Sequence, residues 1–366
     1  MKILELFSGI GGFAKGFIDA GYEFDAHYFS EVDKYAIGTY QYNFKNAKFI
    51  GDVRNINGQE YKGIDIITFG SPCQDFSVAG KRKGLKGDRS ALIREAMRII
   101  KEAEPRVFIW ENVKGTFSSN ARQDFWAILQ AFTDLGNYRI EWQLLNTRWF
   151  LPQNRERIYL VGTLRNRSKQ RVFPFRKNDF LLNSSNGTKR RQSQAKDYST
   201  TINPKFGSRA SDTYLQVGDS DGFRVRKNGV APTLRSKTGT SLSGNPIIKI
   251  KNATKKGFLY ASMGDAINFS FLKSNTKRGR VCKGAAQTLD TSCSLVVLHK
   301  NNVIRRLTEI ECERLQGFPD DWTKYEMLEN EVKINSKTQR YKMLGNAVTV
   351  HVVKEVADRL KYFLYD

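Results

Sequence analysis

The stretch KILELFSGIGGF (Lys2–Phe13) decides the fold. Its first half is an apolar run of strand length, and its second half is a turn holding Gly9, Gly11 and Gly12 that opens a helix-like segment. Glycines at such a turn let the backbone come close to a ligand, and the new helix offers N–H groups that its own backbone does not use. The spacing is not the GxGxxG of dinucleotide-binding turns. Strand, glycine turn and helix together make the first unit of an α/β fold.

The unit recurs along the first 165 residues. FDAHYFS, IDIITFG, RVFIWEN, IEWQLLN and RIYLVGT read as further strands, separated by helix-like segments such as DKYAIGTYQYNF, RSALIREAMRIIKEA and ARQDFWAILQAFTDLG. Alternation of this kind predicts a parallel sheet with helices on both faces, and ligands bind such sheets at the carboxyl ends of the strands. From 166 to 300 the sequence turns rich in Ser, Asn, Lys and Gly, which predicts a smaller, loop-rich and mostly β domain inserted into the first. Within it, RVRKNGVAPTL (Arg224–Leu234) recurs as RVCKGAAQTL (Arg280–Leu289). A connecting segment, 301–341, carries RRLTEIECERLQGFP, where Thr308 and Glu311 have the spacing of a capping box. The last segment, 342–366, holds the helical pattern AVTVHVVKEVADRLKYFL, spaced to pack onto the first domain.

Composition narrows the partner. The 366 residues carry a net charge of +23, and the 166–300 stretch alone holds 26 Lys and Arg against 7 Asp and no Glu. That concentration favours nucleic-acid binding over a merely solvated surface. No run of about 18 apolar residues occurs and no signal-peptide pattern opens the chain, so a soluble, cytoplasmic protein without a membrane partner is expected. Cys73, Cys282, Cys293 and Cys312 form no CxxC pair and stand apart from the three histidines, which argues against a metal site or a disulfide framework.

Candidate chemistry falls at strand ends. Glu31, in SEVDKYA, and Asp52, in GDV, follow successive strands and suit the ribose hydroxyls and base of a nucleoside. Cys73, in TFGSPCQDFSVAG, and Glu111, in WENV, follow two more, which brings a nucleophile and a proton donor within reach of one cleft. Arg155 and Arg157, in QNRERIY, sit two apart at the start of a strand and so can share a face.

In order along the chain, FSGIGG, SEVDKYA, GSPCQDFS, GDRSAL, WENV, QNRERIY, RRLTEIECERLQGFP and GNAV give a sequence that resembles the DNA (cytosine-5)-methyltransferases of bacterial and phage restriction-modification type. The resemblance implies a Rossmann-like S-adenosylmethionine-dependent sheet, with the basic insertion as target-recognition domain. It makes Cys73 the nucleophile toward C6 of a flipped-out cytosine, Glu111 the donor to N3, Arg157 a contact to O2, and Arg155 an ordering residue. It assigns Phe7, Gly9 and Gly11 to the methionine end of S-adenosyl-L-methionine, Glu31 to its ribose, Asp52 to its adenine, and Asn346 to closing the pocket. Val32 stands where many relatives carry an aromatic, so apolar contact replaces stacking.

The segment QDFSVAGKRKGLKGDRS resembles the family's catalytic loop, a mobile lid placing Gln74, Ser77 and Arg89 on DNA. Thr288 and Leu289 match the Thr-Leu pair that ends the recognition region, with Thr233 and Leu234 as an earlier copy. The implied partner is double-stranded DNA, with a cognate restriction endonuclease acting on the same site, and one active site per chain suggests a monomer. Competing readings are an RNA cytosine-5 methyltransferase and a catalytically silent DNA-binding relative. The first would carry a Cys-Phe-Thr segment not found here, and the second would have no use for Cys73, Glu111 and Arg157 together.

Overall fold

The computed structural model describes residues 1–71, 90–118, 123–165, 170–176, 216–217, 223–224, 247–270, 276–298 and 304–365. The first part runs β1 (Lys2–Leu6), α1 (Gly12–Asp19), β2 (Ala26–Ser30), α2 (Lys34–Asn43), β3 (Lys48–Phe49), β4 (Ile66–Phe69), α3 (Ser90–Ala103), β5 (Val107–Val113), α4 (Gly115–Ser118), α5 (Gln123–Thr133), β6 (Tyr138–Asn146), β7 (Gln153–Asn154) and β8 (Glu156–Leu164). Seven of these strands form one sheet in the order β3-β2-β1-β4-β5-β8-β6.

Strands β1 to β5 are parallel, as the alternating pattern predicts. Strand β8 differs, running antiparallel to both β5 and β6. The cause is the connection: only the short stretch 147–155 joins β6 to β8, and a parallel return needs a crossover of a dozen residues or more. The sheet is therefore mixed. The two-residue β3 also escaped sequence reading, since KF carries no periodicity.

Period-two alternation builds a core on each face of the sheet. Ile3, Ile66, Val107 and Ile109 pack with Phe13 and Phe17 of α1 on one side. Leu4, Ile67, Phe108 and Trp110 pack with Ile93 and Ile99 of α3 and Phe125 and Ile128 of α5 on the other. The outer edge at β6 is covered by residues 170–176, whose Phe173 and Phe175 amides donate to Glu141 Oε2 and Gln143 Oε1. That cover leaves less exposed edge available for pairing with another chain.

The basic region is β-rich. It contains the short hairpin β9 (Gln216–Val217) and β10 (Phe223–Arg224), the hairpin β11 (Ile247–Lys251) and β12 (Phe258–Ser262), and then β13 (Ala266–Asn268), β14 (Val281–Cys282), β15 (Ala286–Gln287) and β16 (Leu295–Leu298). Strand β17 (Ile304–Arg306) completes a four-stranded sheet, β14-β13-β16-β17. Strand β15 pairs in parallel with β7, joining the basic region to the QNRERIY segment.

The chain then returns through α6 (Glu309–Gln316), the hairpin β18 (Tyr325–Leu328) and β19 (Glu331–Ile334), α7 (Lys337–Asn346) and α8 (Val350–Leu364). The capping box read from sequence is formed, with Thr308 Oγ1 accepting from the Glu311 amide and the Glu311 carboxylate accepting from the Thr308 amide. Helix α8 packs on the first core as its spacing predicts: Val352, Val353, Val356 and Leu360 join Phe13 and Phe17. Among the described residues no helix is long and apolar enough to cross a membrane.

Candidate active site

A cleft of about 750 Å³ opens at the carboxyl ends of the parallel strands. Its walls bring together Phe7, Gly9, Glu31, Asp52, Glu111, Arg155, Arg157 and Asn346, residues drawn from both ends of the chain. Gly11 is absent from the lining residues. Its backbone is left-handed, with φ 82°, and a Cβ there would lie 2.3 Å from the Phe44 ring, so glycine is required by packing beneath the turn.

The turn after β1 shapes one end. Phe7 and Gly9 both take positive φ, 51° and 54°, a conformation costly for phenylalanine and easy for glycine. No atom lies within 4 Å of where a Gly9 Cβ would point. Glu31 holds the turn: its carboxylate accepts from the amides of Gly9 at 2.9 Å, Val32 at 2.7 Å and Asp33 at 3.0 Å. Val32 is 69% exposed at the rim, available for apolar contact. Asp52 caps the turn that begins at Val53, and the Arg54 guanidinium hydrogen-bonded to it holds its carboxyl below the usual range.

The other end is buried and charged. Glu111 is 8% exposed on β5, and its Oε1 lies 3.1 Å from Arg157 Nε. Burial pushes its carboxyl upward, and the Arg157 and Arg155 cations only partly offset that. Arg155, 2% exposed, donates to Ala347 O at 2.6 Å and Gly345 O at 3.4 Å. The two arginines thus share the cleft but serve different partners.

Sequence reading missed several supports. Ser71, two residues before Cys73, accepts from Trp110 Nε1 at 3.0 Å and from Asn112 Nδ2 at 3.3 Å, which pins the start of that loop to β5. Asn112 lay inside the quoted WENV, yet its partner is 41 positions away. Lys342 of α7 pairs with Asp33 at the N-terminus of α2 across the cleft. Gln316 of α6 donates to Leu344 O within the returning segment, and Gln153 of β7 donates to Leu315 O, tying α6 to the QNRERIY segment.

Thr288 donates from its hydroxyl to Asn154 O. Leu289 is 3% exposed; its side chain joins the core with Ile10 and Leu344, and its amide donates to Gln153 Oε1. Cys73, Gln74, Ser77 and Arg89, with the lid-like segment and the Thr233–Leu234 copy, lie outside the described residues.

A mixed seven-stranded sheet with a cleft at its carboxyl edge lined by carboxylates and cations alike, and a β-rich basic region docked beside it, is the architecture of an α/β methyltransferase. The chain belongs to the C-5 cytosine-specific DNA methylase family, which it matches over residues 1–362. It is 31% identical over 370 residues to the type II methyltransferase M.Bsp6I of Bacillus sp. (strain RFL6), covering 98% of each chain. It is 32% identical over 362 residues to the type II methyltransferase M1.ScrFI of Lactococcus lactis subsp. cremoris, covering 98% of this chain and 77% of that one. The fold is also that of the crystal structure of the S. pombe Dnmt2 methyltransferase, with a TM-score of 0.59 at 17% identity, over 99% of this chain and 98% of the other. It is accordingly a DNA cytosine-5 methyltransferase of restriction-modification type.

Proposed function

We propose that the enzyme methylates C5 of a cytosine flipped out of duplex DNA, through a covalent bond between Cys73 Sγ and C6. The observation that carries this reading is Glu111: buried, raised in pKa, paired with Arg157, and on the wall of the cleft that also holds Glu31 and Asp52. Addition of a thiolate to C6 pushes an electron pair toward N3 and O2. A carboxyl that keeps its proton above the ordinary range can deliver it to N3, and its other oxygen can accept from the N4 amino group. Arg157 is suited to donate to O2 while staying paired with Glu111. With C5 methylated, loss of its proton to water, elimination of the Cys73 thiolate and return of the N3 proton to Glu111 restore the aromatic ring. Extrusion of the base is needed because C6 cannot be reached within a stacked duplex.

The residues fit S-adenosyl-L-methionine: the open space above Gly9 admits a ligand against the backbone, and Glu31 and Asp52 offer acceptors at successive strand ends. Phe7, Gly9 and Asn346 would hold the amino-acid end, Gly11 acting through the shape of the turn, Glu31 the ribose and Asp52 the adenine amino group. Bound there, the cofactor supplies an electrophilic methyl group.

In this reading residues 1–165 and 342–366 form the catalytic domain, 166–300 the target-recognition domain and 301–341 their connection. Gln74, Ser77 and Arg89 face DNA, and Thr288 and Leu289 anchor the recognition region at β7. The enzyme acts as a monomer in the cytoplasm, where its DNA substrate and a cognate restriction endonuclease would be found.

The test is expression in a host free of cytosine methylation, beside a Cys73→Ala control, with 5-methylcytosine mapped base by base. Methylation at one short sequence, absent in the control, is expected. A folded, S-adenosylmethionine-binding protein that leaves the DNA unmodified would overturn the reading and direct the assay to RNA.

A further inference from the structure

Among the described residues, the outer face of the β11–β12 hairpin carries a cluster of exposed cations that does not line the cleft. Cross-strand pairing sets Lys249 opposite Tyr260 and Lys251 opposite Phe258, so these four side chains share one face, while Ile250 and Ala261 on the opposite face are buried. Lys249, Lys251 and Tyr260 are exposed, and the turn adds the exposed Lys255 and Lys256. Phe258 and Tyr260 meet edge-on with centroids 5.2 Å apart. Lys249 Nζ stands 4.1 Å from the Phe258 centroid and Lys256 Nζ 5.2 Å from it, so the rings prop the ammonium groups in place.

The local charge is one-sided. From Lys249 to Arg278 the sequence carries 7 Lys and Arg against the single Asp265. That acid is buried and paired with Lys283 at 2.6 Å. Arg278 is held against the same hairpin turn by its bond to Ala253 O.

We infer that this face is a second DNA-binding surface, separate from the cleft, which grips the phosphates of duplex flanking the target irrespective of sequence. The inference rests on the DNA reading proposed above and adds where non-specific affinity resides. Lysines propped on rings lose less conformational freedom on meeting a phosphate than free ones do, and phosphates meet the charge requirement without any base recognition. Its effect on binding is counterion release, which is read from the dependence on salt.

The experiment titrates a short duplex made only of A·T pairs, which has no target cytosine, across a range of salt concentrations, with the wild type and Lys249→Gln/Lys255→Gln/Lys256→Gln. The slope of log K against log salt is expected to shrink by roughly 2–3, at about 0.9 for each phosphate no longer neutralised. Affinity at moderate salt should fall roughly tenfold or more, with S-adenosylhomocysteine binding and melting temperature unchanged. The matching triple arginine variant should keep the wild-type slope. An unchanged slope in the glutamine variant would mean a merely solvated face and overturn the inference, as would tighter binding of single-stranded oligo(dA) than of duplex. If the wild type itself shows no salt-dependent duplex binding, the DNA reading fails first.

Discussion

Two buried carboxyls, Glu111 and Glu5, are both raised by desolvation, and their surroundings give them different consequences. Glu111 is expected to work in its protonated form, so activity should fall as pH rises through its raised pKa, and Glu111→Gln should remove that limb. The same variant should lower kcat by roughly 10²–10⁴-fold while leaving S-adenosylhomocysteine affinity intact; a loss confined to cofactor binding would contradict the role. Glu5, on β1 beneath the glycine turn, accepts from the Ala14 amide at 2.6 Å and from Tyr40 Oη at 3.0 Å, both at Oε1. Its buried Oε2 has no partner among the described residues and is where a proton would sit. Burial raises Glu5 from 4.5 to about 8, and lowers His27, whose Nε2 meets the same Tyr40 hydroxyl, from 6.5 to about 4. Stability from Glu5 is therefore full below pH 4.5 and lost as pH rises to about 8, whereas that from His27 is full above 6.5 and lost as pH falls toward about 4. Between 4.5 and 6.5 the two oppose one another; from 6.5 to about 8 Glu5 acts alone and should remove about 2 kcal/mol, at about 1.4 per unit. Urea unfolding at both ends of that window should show a loss larger in the wild type than in Glu5→Gln by about that amount; equal losses would refute it. Glu31 and Glu111 were legible as cleft residues because one follows and the other lies within a readable strand, whereas Asp52 follows β3, which carries no periodicity. Glu5 was not, because a lone acid within an apolar strand does not reveal that its face will be covered by α1 and α2.

At the scale of elements, strands and helices were legible from periodicity, and so were the capping box at Thr308 and the packing role of α8. What periodicity could not give was direction: β8 is as apolar as the parallel strands β1, β4 and β5, and only the length of the 147–155 connection, too short for a crossover, reverses it. The packing of α1 on α8 shows a second limit, since its closeness depends on glycines whose neighbours arrive from the far end of the chain. A Cβ on Gly16 would lie 2.5 Å from Val353 Cγ1, and one on Gly12 would lie 2.6 Å from Val348 Cγ2. Gly16→Ala should therefore destabilise by about 1–3 kcal/mol despite its better helix propensity. Combining it with Val353→Ala should cost less than the sum of the single changes, because the second substitution makes room for the first. Strict additivity in chemical denaturation would show that the helices separate instead of clashing.

On the scale of the whole molecule, the chain closes on itself at the cleft, whose walls come from residues 7–54 and 342–346 as well as from β5 and the QNRERIY segment. The +23 charge was legible as a preference for a polyanion, whereas the docking of the basic region through β15 on β7 depends on a pairing between two-residue strands that no pattern announces. The link between the two ends was equally hidden, since Lys342 and Asp33 are 309 positions apart. Burial alone would raise Asp33, but Lys342 and the amides of Tyr35 and Ala36 more than offset that and hold it low. Lys342 and Asn346 are one helical turn apart on α7 and both line the cleft, so anchoring the lysine to α2 also positions the asparagine. The pair is partly exposed, 45% and 26%, which limits its worth to about 0.5–1 kcal/mol, or roughly two- to fivefold in cofactor affinity. Lys342→Met should weaken S-adenosylhomocysteine binding by that factor and leave kcat at saturating cofactor unchanged. Asp33→Asn should do the same, because asparagine caps α2 as well as aspartate does and only the charge is lost. If the bridge is the cause, the double variant should be no weaker than either single one by calorimetric titration; fully additive losses would mean that each residue meets the cofactor on its own.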